Sequence, residues 1–272
     1  MPLSLRVGTQ YDASVSESAA ATWLVVPTYN EAANIERFVA EVRTHLPERR
    51  HILIVDDNSP DGTGGIADRI ADASDDVTVL HRPTKEGLGP AYIEGFEFAI
   101  AHGATLLISM DADFSHDPAD LERMIARAEG SDGSMERADV VIGSRYVPEG
   151  EVVEWGPLRR AISKGGSAYA RFTLGVGVRD LTGGFKCYRR EVLEQIDLPS
   201  LRARGYAFQV ETTYRAIRQG FRVVEIPIKF VERRAGSSKM SKSIFAEAVW
   251  RVPAMRLSRP RACSGEAPDR TR

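Results

Sequence analysis

Cysteine is nearly absent: Cys187 and Cys263 stand far apart in the 272 residues, without the spacing of a metal-binding pair. They cannot build a disulfide framework, and their scarcity points to a reducing compartment. Long apolar runs are missing as well, since none approaches the roughly 20 residues of a membrane-spanning helix. The first 20 residues carry Arg6 but no apolar core of signal-peptide length. The expectation is a cytoplasmic protein that meets a membrane, if at all, from the surface. Charge of one sign is also lacking: 36 Lys and Arg against 38 Asp and Glu leave a net charge of -2. That balance calls for no nucleic-acid partner. There is no internal repeat and no linker that would split the chain. The expected organisation is a disordered tail over 1–20, one α/β domain over 21–257 ending in a basic amphipathic helix, and a disordered tail over 258–272.

What the chain does have is a stretch, Thr105 to Asp113, in which an apolar run ends abruptly in two carboxylates, Asp111 and Asp113. Such a run reads as a buried strand of a parallel sheet, and ligands of open α/β sheets sit beyond the carboxyl ends of the strands. In extended chain, residues i and i+2 point the same way, so the two carboxylates are expected to converge. A divalent cation would relieve their repulsion. An all-oxygen donor set suits Mg²⁺ or Mn²⁺, which leave positions open for water and phosphate. A solvated turn is the plain alternative for an isolated Asp pair.

The neighbouring segments weigh against that alternative. Apolar strands are predicted at Trp23–Pro27, His51–Val55 and Val77–Leu80, with a helix after Thr28-Tyr29-Asn30-Glu31 capped by Asn30, and another over 88–102. Strands and helices alternating at this interval make a mainly parallel, Rossmann-like sheet flanked by helices. Carboxylates recur at the strand ends, at Glu31, at Asp56 and Asp57, and at Asp111 and Asp113. A fifth strand, Ala138–Gly143, leads into Ser144-Arg145-Tyr146. Residues 147–158 read as a mobile loop over the site. Helical spacing then sets Arg159 beside Ser163 and Arg160 beside Lys164, a donor cluster suited to a phosphate, with a solvated helix face as the rival reading. Phe185–Tyr188 is a predicted strand, 206–219 a helix, and Phe221–Phe230 a strand with Pro227 near an edge or bend. From Glu232 to Arg261 there are eight basic and two acidic residues. Ile244, Phe245, Ala248, Val249 and Val252 share one side of a helix expected to end at Pro253. That side either packs on the sheet or lies on anionic lipid.

Gly62-Thr63-Gly64-Gly65 after a strand superficially suits a dinucleotide pyrophosphate, but the full glycine spacing is missing and Asp56, Asp57 and Asp61 would repel phosphate. The ordered motifs Val26–Glu31, Val55–Thr63, Gly87–Tyr92, Asp111–His116 and Gly143–Tyr146 instead resemble family 2 glycosyltransferases of GT-A fold. More narrowly, Trp155–Gly166, Asp180–Lys186 and Arg233–Lys239 are similar to the dolichol-phosphate mannosyltransferase subfamily, the polyprenol monophosphomannose synthases of bacteria. The likeness covers about 23–252, and it departs at Ser167, where many relatives have Asn, and Lys164, where Arg is common.

The resemblance implies inverting transfer of mannose from GDP-mannose to a polyprenyl (dolichyl-type) phosphate, with Mg²⁺ or Mn²⁺. It implies that Pro27, Tyr29, Glu31, Val55 and Asp57 hold the guanosine, and that Asp111, Ala112 and Asp113 approach the ribose and pyrophosphate. Asp111, Asp113 and Ser115 are the implied metal set, while Arg145, Arg233 and Lys239 neutralise donor phosphate. Arg145, Arg159, Arg160, Ser163 and Lys164 form the expected acceptor-phosphate set, and Asp113 and Arg145 the catalytic pair. A phosphate acceptor is largely dianionic at neutral pH, with a second pKa of about 6, so no strong general base is needed. Its lipid tail implies docking on the cytoplasmic membrane face, with a membrane partner protein as a further possibility. The alternatives are a UDP-glucose-dependent transferase acting on the same lipid, a non-catalytic sugar-nucleotide-binding relative, and a soluble glycosyltransferase needing a base, for which Asp113 and Glu211 are the available carboxylates.

Overall fold

A computed structural model describes residues 21–134, 136–201, 205–232 and 242–257. In chain order the elements are β1 (Thr22–Thr28), α1 (Ile35–Arg43), β2 (Arg50–Asp56), α2 (Thr63–Asp72), β3 (Val77–His81), α3 (Leu88–Ala101), β4 (Leu106–Ser109), α4 (Asp120–Glu129) and β5 (Val140–Ser144). They continue with β6 (Glu151–Val153), α5 (Pro157–Leu174), β7 (Lys186–Arg189), α6 (Arg190–Gln195), α7 (Tyr206–Arg218), β8 (Val223–Pro227), β9 (Lys229–Val231) and α8 (Lys242–Leu257).

Seven strands form one sheet in the order β3-β2-β1-β4-β7-β5-β8. All neighbours are parallel except β7, which runs antiparallel between β4 and β5 and sets Cys187 opposite both Ile108 and Val141. The sheet is buried on both faces, which is why its strands read as nearly continuous apolar runs. Alternation along β1 sends Leu24 and Val26 to the core layer under α1, α2 and α4, and Trp23 and Val25 to the layer under α3, α5, α6, α7 and α8. The mainly parallel α/β architecture expected from the sequence is the one observed.

Several local expectations need correction. α1 begins at Ile35, not after Asn30; Asn30 adopts φ 59 in a loop whose turn is closed by Asn34 and Ile35 donating to the Glu31 carbonyl at 2.9 Å. The segment 147–158 is not one loop, because β6 pairs in parallel with β9 and α5 already starts at Pro157. The predicted strand Phe221–Phe230 divides at Ile228 into β8, at the sheet edge, and β9. Pro253 lies inside α8 rather than ending it. Proline removes one intrahelical hydrogen bond, and the helix carries on because Val252 and Met255 are buried and Arg256 donates to the Thr173 carbonyl at 2.7 Å. No helix among the described residues is long and apolar enough to cross a membrane.

Candidate active site

The carboxyl ends of β1, β2, β3, β4 and β5 supply the loops that carry the expected site residues, and each loop is pinned by side chains of its neighbours. Thr28 at the end of β1 donates to Asp56 Oδ1 at 3.0 Å, and Asp56 also accepts from the Ser59 hydroxyl at 2.6 Å and the Ser59 amide at 3.0 Å. Asp61 accepts from the Thr63 amide at 3.0 Å, the Thr63 hydroxyl at 2.6 Å and the Ala32 amide at 3.0 Å, and Thr63 in turn accepts from the Glu31 amide at 2.9 Å. Asp56 and Asp61 are thus struts between the first two loops. Pro27 and Val55 are register partners on β1 and β2. Tyr29 lies beside them with Lys85 Nζ 3.6 Å from its ring centre, and Glu31 accepts from the Asn34 amide side chain at 2.9 Å.

Asp57 is set apart by its partner. It pairs with the buried Arg82, which follows β3 and is also ion-paired to Glu86 and Glu94 at 3.1 Å. Burial raises the Asp57 pKa above the usual carboxylate value, and the guanidinium opposes that rise. Arg82 went unnoticed in the sequence. Its position at the carboxyl end of the third strand, in step with the acidic loops, was the available signal.

Asp111 and Asp113 do not continue the strand, since β4 ends at Ser109. They occupy a turn in which Phe114 has φ 58 and the Ser115 amide donates to Asp113 Oδ1 at 3.0 Å. The extended-chain argument for convergence therefore does not hold; a side-chain-to-backbone turn fixes the pair instead. Asp113, Ala112 and Ser115 are buried, whereas Asp111 is half-buried. The Tyr92 hydroxyl donates to Asp111 Oδ1 at 3.4 Å, and burial, with the charge of Asp111, raises the Tyr92 pKa well above its ordinary value. Among the described residues no group of three or more His, Cys, Asp or Glu converges to hold a metal. Two carboxylates on one turn fit a Mg²⁺ or Mn²⁺ whose remaining positions belong to water and substrate phosphate.

Arg145, just beyond β5, is the most constrained cation of the site. Asp180 accepts from its Nε at 2.7 Å, from its Nη2 at 2.8 Å and from its backbone amide at 3.0 Å, and Thr182 accepts from Nη2 at 3.0 Å. Burial would raise the Asp180 carboxyl, but the charge and hydrogen bonds of Arg145 hold it below its usual value. The guanidinium carbon lies 5.2 Å from the ring centres of Tyr146 and Phe230. Phe230 packs edge-on to Trp155 at 5.4 Å and to His116 at 5.0 Å, so one ring links the Asp113 turn to the start of α5. His116 is buried, its Nδ1 has no hydrogen-bond partner, and burial lowers its pKa to about 4 against the pull of Asp113. Lys186 on β7 is fully buried and donates to the Gln209 carbonyl at 2.6 Å and Thr213 at 2.8 Å. Burial lowers its pKa to about 7 against the pull of Asp180.

The expected acceptor cluster is only partly gathered. Tyr146 donates to Ser163 at 2.7 Å, while Arg159 pairs with Glu232 and stacks 4.2 Å from Trp155. Arg160 donates to the Val152 carbonyl at 2.8 Å, and Lys164 is exposed. Arg233 and Lys239 lie outside the described residues. Glu211 is ion-paired with Arg215 at 2.6 Å on α7. Sequence reading assigned no role to Asp180, Tyr92 or Phe230. The separation of Asp180 from Arg145 by 35 positions gives no local signal.

Residues 23–197 match the profile of a family described as Glycosyl transferase family 2. The chain is 46% identical over 246 residues to the polyprenol monophosphomannose synthase of Mycolicibacterium smegmatis, covering 90% of each protein. It is also 46% identical over 228 residues to the undecaprenyl-phosphate mannosyltransferase of Micrococcus luteus, covering 84% of this chain and 90% of that one. Glucosyl-3-phosphoglycerate synthase of Mycobacterium tuberculosis, solved with phosphoglyceric acid, superposes with a TM-score of 0.61 at 18% identity, covering 90% of this chain and 81% of the other. The same synthase with Mn²⁺, UDP-glucose and phosphoglyceric acid gives 0.60 at 18%, covering 88% and 79%. Likeness at that identity speaks for the GT-A fold alone.

Proposed function

The chain belongs to glycosyl transferase family 2, and we propose that within it the protein transfers mannose from GDP-mannose to a polyprenyl phosphate, with inversion at the anomeric carbon. The observation that carries this reading is the 46% identity, over 90% of both chains, to a polyprenol monophosphomannose synthase. The GT-A architecture and the arrangement around Arg145 support it.

In the proposed reaction a phosphate oxygen of the acceptor attacks the anomeric carbon, the bond from that carbon to the diphosphate breaks, and GDP leaves with the electron pair. The acceptor is already an anion at neutral pH, with a second pKa of about 6, so the protein's task is positioning rather than proton removal. Arg145, oriented by Asp180 and Thr182, would present a fixed positive charge to phosphate. Ser163, held by Tyr146, and Arg159, Arg160 and Lys164 complete the acceptor side. Pro27, Tyr29, Glu31, Val55 and Asp57 receive the base, and Ala112 approaches the ribose. Arg233 and Lys239 belong to the donor-phosphate set. Asp111 and Asp113, with Ser115 alongside, would hold a divalent cation, Mg²⁺ or Mn²⁺, that supplies charge to the departing diphosphate. The acceptor's tail stays in a bilayer, so the protein works at a membrane surface, peripherally on the cytoplasmic face.

The test is product formation from radiolabelled GDP-mannose, with UDP-glucose in parallel, using a short polyprenyl phosphate in detergent, with metal or with EDTA. A mannolipid that needs both GDP-mannose and metal is the expected result. A glucolipid alone moves the protein to glucosyl transfer, and no product from either donor, with or without a membrane partner protein, overturns the reading.

A further inference from the structure

Trp155 stands between the two guanidiniums nearest the proposed acceptor phosphate. Arg145 Cζ lies 5.9 Å from its ring centre and Arg159 Cζ 4.2 Å, while Phe230 closes a third side edge-on at 5.4 Å. The indole Nε1 is shut away from solvent, yet it has no hydrogen-bond partner among the described residues. A buried polar atom left unpaired calls for an explanation. An indole nitrogen only donates, and guanidiniums only donate, so these neighbours cannot supply what it lacks. The missing group is an acceptor atom, and a place beside two cations favours one that carries negative charge.

The two cations differ in what holds them. Arg145 and Asp180 are a buried pair, with side chains 7% and 0% exposed. Arg159 pairs with Glu232, just past β9, and those side chains are 34% and 39% exposed. A pair so open to water contributes only about 0–1 kcal/mol, so a stronger counter-ion can replace it. Glu232 binds Arg159 but makes no bond to the indole. A phosphate monoester brings three acceptor oxygens and a charge of about -1.5 to -2.

We propose that Trp155 Nε1 donates to the phosphate of the acceptor, and that this phosphate displaces Glu232 from Arg159 as it enters. Glu232 keeps the place of the phosphate in the empty site. Exchange also opens the way to Nε1, because Arg159 is the group stacked on the ring. The assignment rests on the acceptor reading given above and deepens it: beside the charged Arg145 and Arg159 stands a neutral, rigid donor that fixes where the phosphate oxygens lie.

The experiment uses the full chain labelled on the indole nitrogens of its tryptophans, Trp23, Trp155 and Trp250, and follows their N–H resonances. Trp155→Phe identifies the Trp155 signal by its disappearance. Citronellyl phosphate is the probe, with citronellol and GDP in parallel. The Trp155 proton moves downfield with citronellyl phosphate and stays in place with the alcohol or with GDP. In kinetics, Trp155→Phe keeps a ring but loses the N–H. Acceptor KM rises at least about tenfold, the loss of one hydrogen bond to a charged group, while donor KM and the melting temperature hold. Glu232→Gln acts in the opposite direction and lowers acceptor KM by up to about fivefold, because the phosphate no longer competes with a carboxylate. A merely structural role for the two residues would weaken acceptor binding in both variants. The proposal is overturned by a Trp155 resonance that ignores citronellyl phosphate, by an equal shift with GDP, or by an acceptor KM that Trp155→Phe leaves unchanged. The resonance needs no turnover: a chain whose Trp155 answers citronellyl phosphate but makes no mannolipid defeats the proposed reaction and upholds the phosphate contact. Mannolipid made by a chain whose Trp155 stays silent does the reverse.

Discussion

Arg145 owes its orientation to Asp180, which meets it with both carboxylate oxygens and takes its backbone amide as well. Asp180→Asn leaves a buried guanidinium without its counter-charge, so about 3–5 kcal/mol of stability is expected to go. At temperatures where the variant is still folded, kcat for lipid mannosylation should fall about a hundredfold with a smaller change in donor KM, which steady-state kinetics would read separately from the melting curve. His51 offers a pH test away from the site. It is buried between Trp23 and the Thr78 hydroxyl, and burial lowers its pKa to about 4 from 6.5. Between those values the unfolded chain binds more protons than the folded one. Stability is therefore whole above pH 6.5 and lost as the pH falls towards 4, by up to about 3 kcal/mol from this group. Urea midpoints across that window should decline in the wild type and decline less in His51→Phe. The acidic residues at the loops were legible in the sequence, but their division of labour was not. Asp56, Asp57 and Asp61 look alike as letters, and only the positions of Ser59, Arg82 and Thr63 separate the two struts from the carboxylate paired with an arginine.

Elements differ in how much of their placement is written locally. The central strands announce themselves as apolar runs, and α3 and α7 end within a residue of their expected limits, because burial on both sheet faces and helical periodicity are short-range signals. β6 and β9 are three residues each and carry no such pattern, so they were hidden inside a loop and a longer strand. The direction of β7 was equally silent, since an apolar strand reads the same whichever way it runs. α3 also shows an element fixed by close approach: a Cβ on Gly95 would come within 2.5 Å of Val25 Cγ1 and 3.0 Å of Val55 Cγ2. Gly95→Val should cost about 1–3 kcal/mol through overpacking, measured as a lower denaturant midpoint with an unchanged slope.

At the scale of the molecule, the candidate site joins two halves of the sheet, the loops after β1 to β3 that are proposed to receive the base and the groups around β5, β6 and α5 that are proposed to meet phosphate. A cation held by only two carboxylates depends on the substrate to complete its shell. Mn²⁺ alone should therefore barely move the melting temperature, whereas Mn²⁺ with GDP-mannose at a hundred times its Kd should add about 2.7 kcal/mol, and Asp113→Asn should abolish the increment in a thermal-shift titration. The antiparallel β7 has a consequence for synthesis on the ribosome. It fills the gap between β4 and β5, yet its first residue, Lys186, follows Ser109, the last of β4, by 77 positions. At about 5–20 residues per second, the nascent chain holds an uncovered edge on a strand that is apolar but for Ser109 for about 4 to 15 s. That interval leaves β4 open to pairing with the wrong neighbour, so an error at this edge would arise during synthesis rather than in the finished sheet.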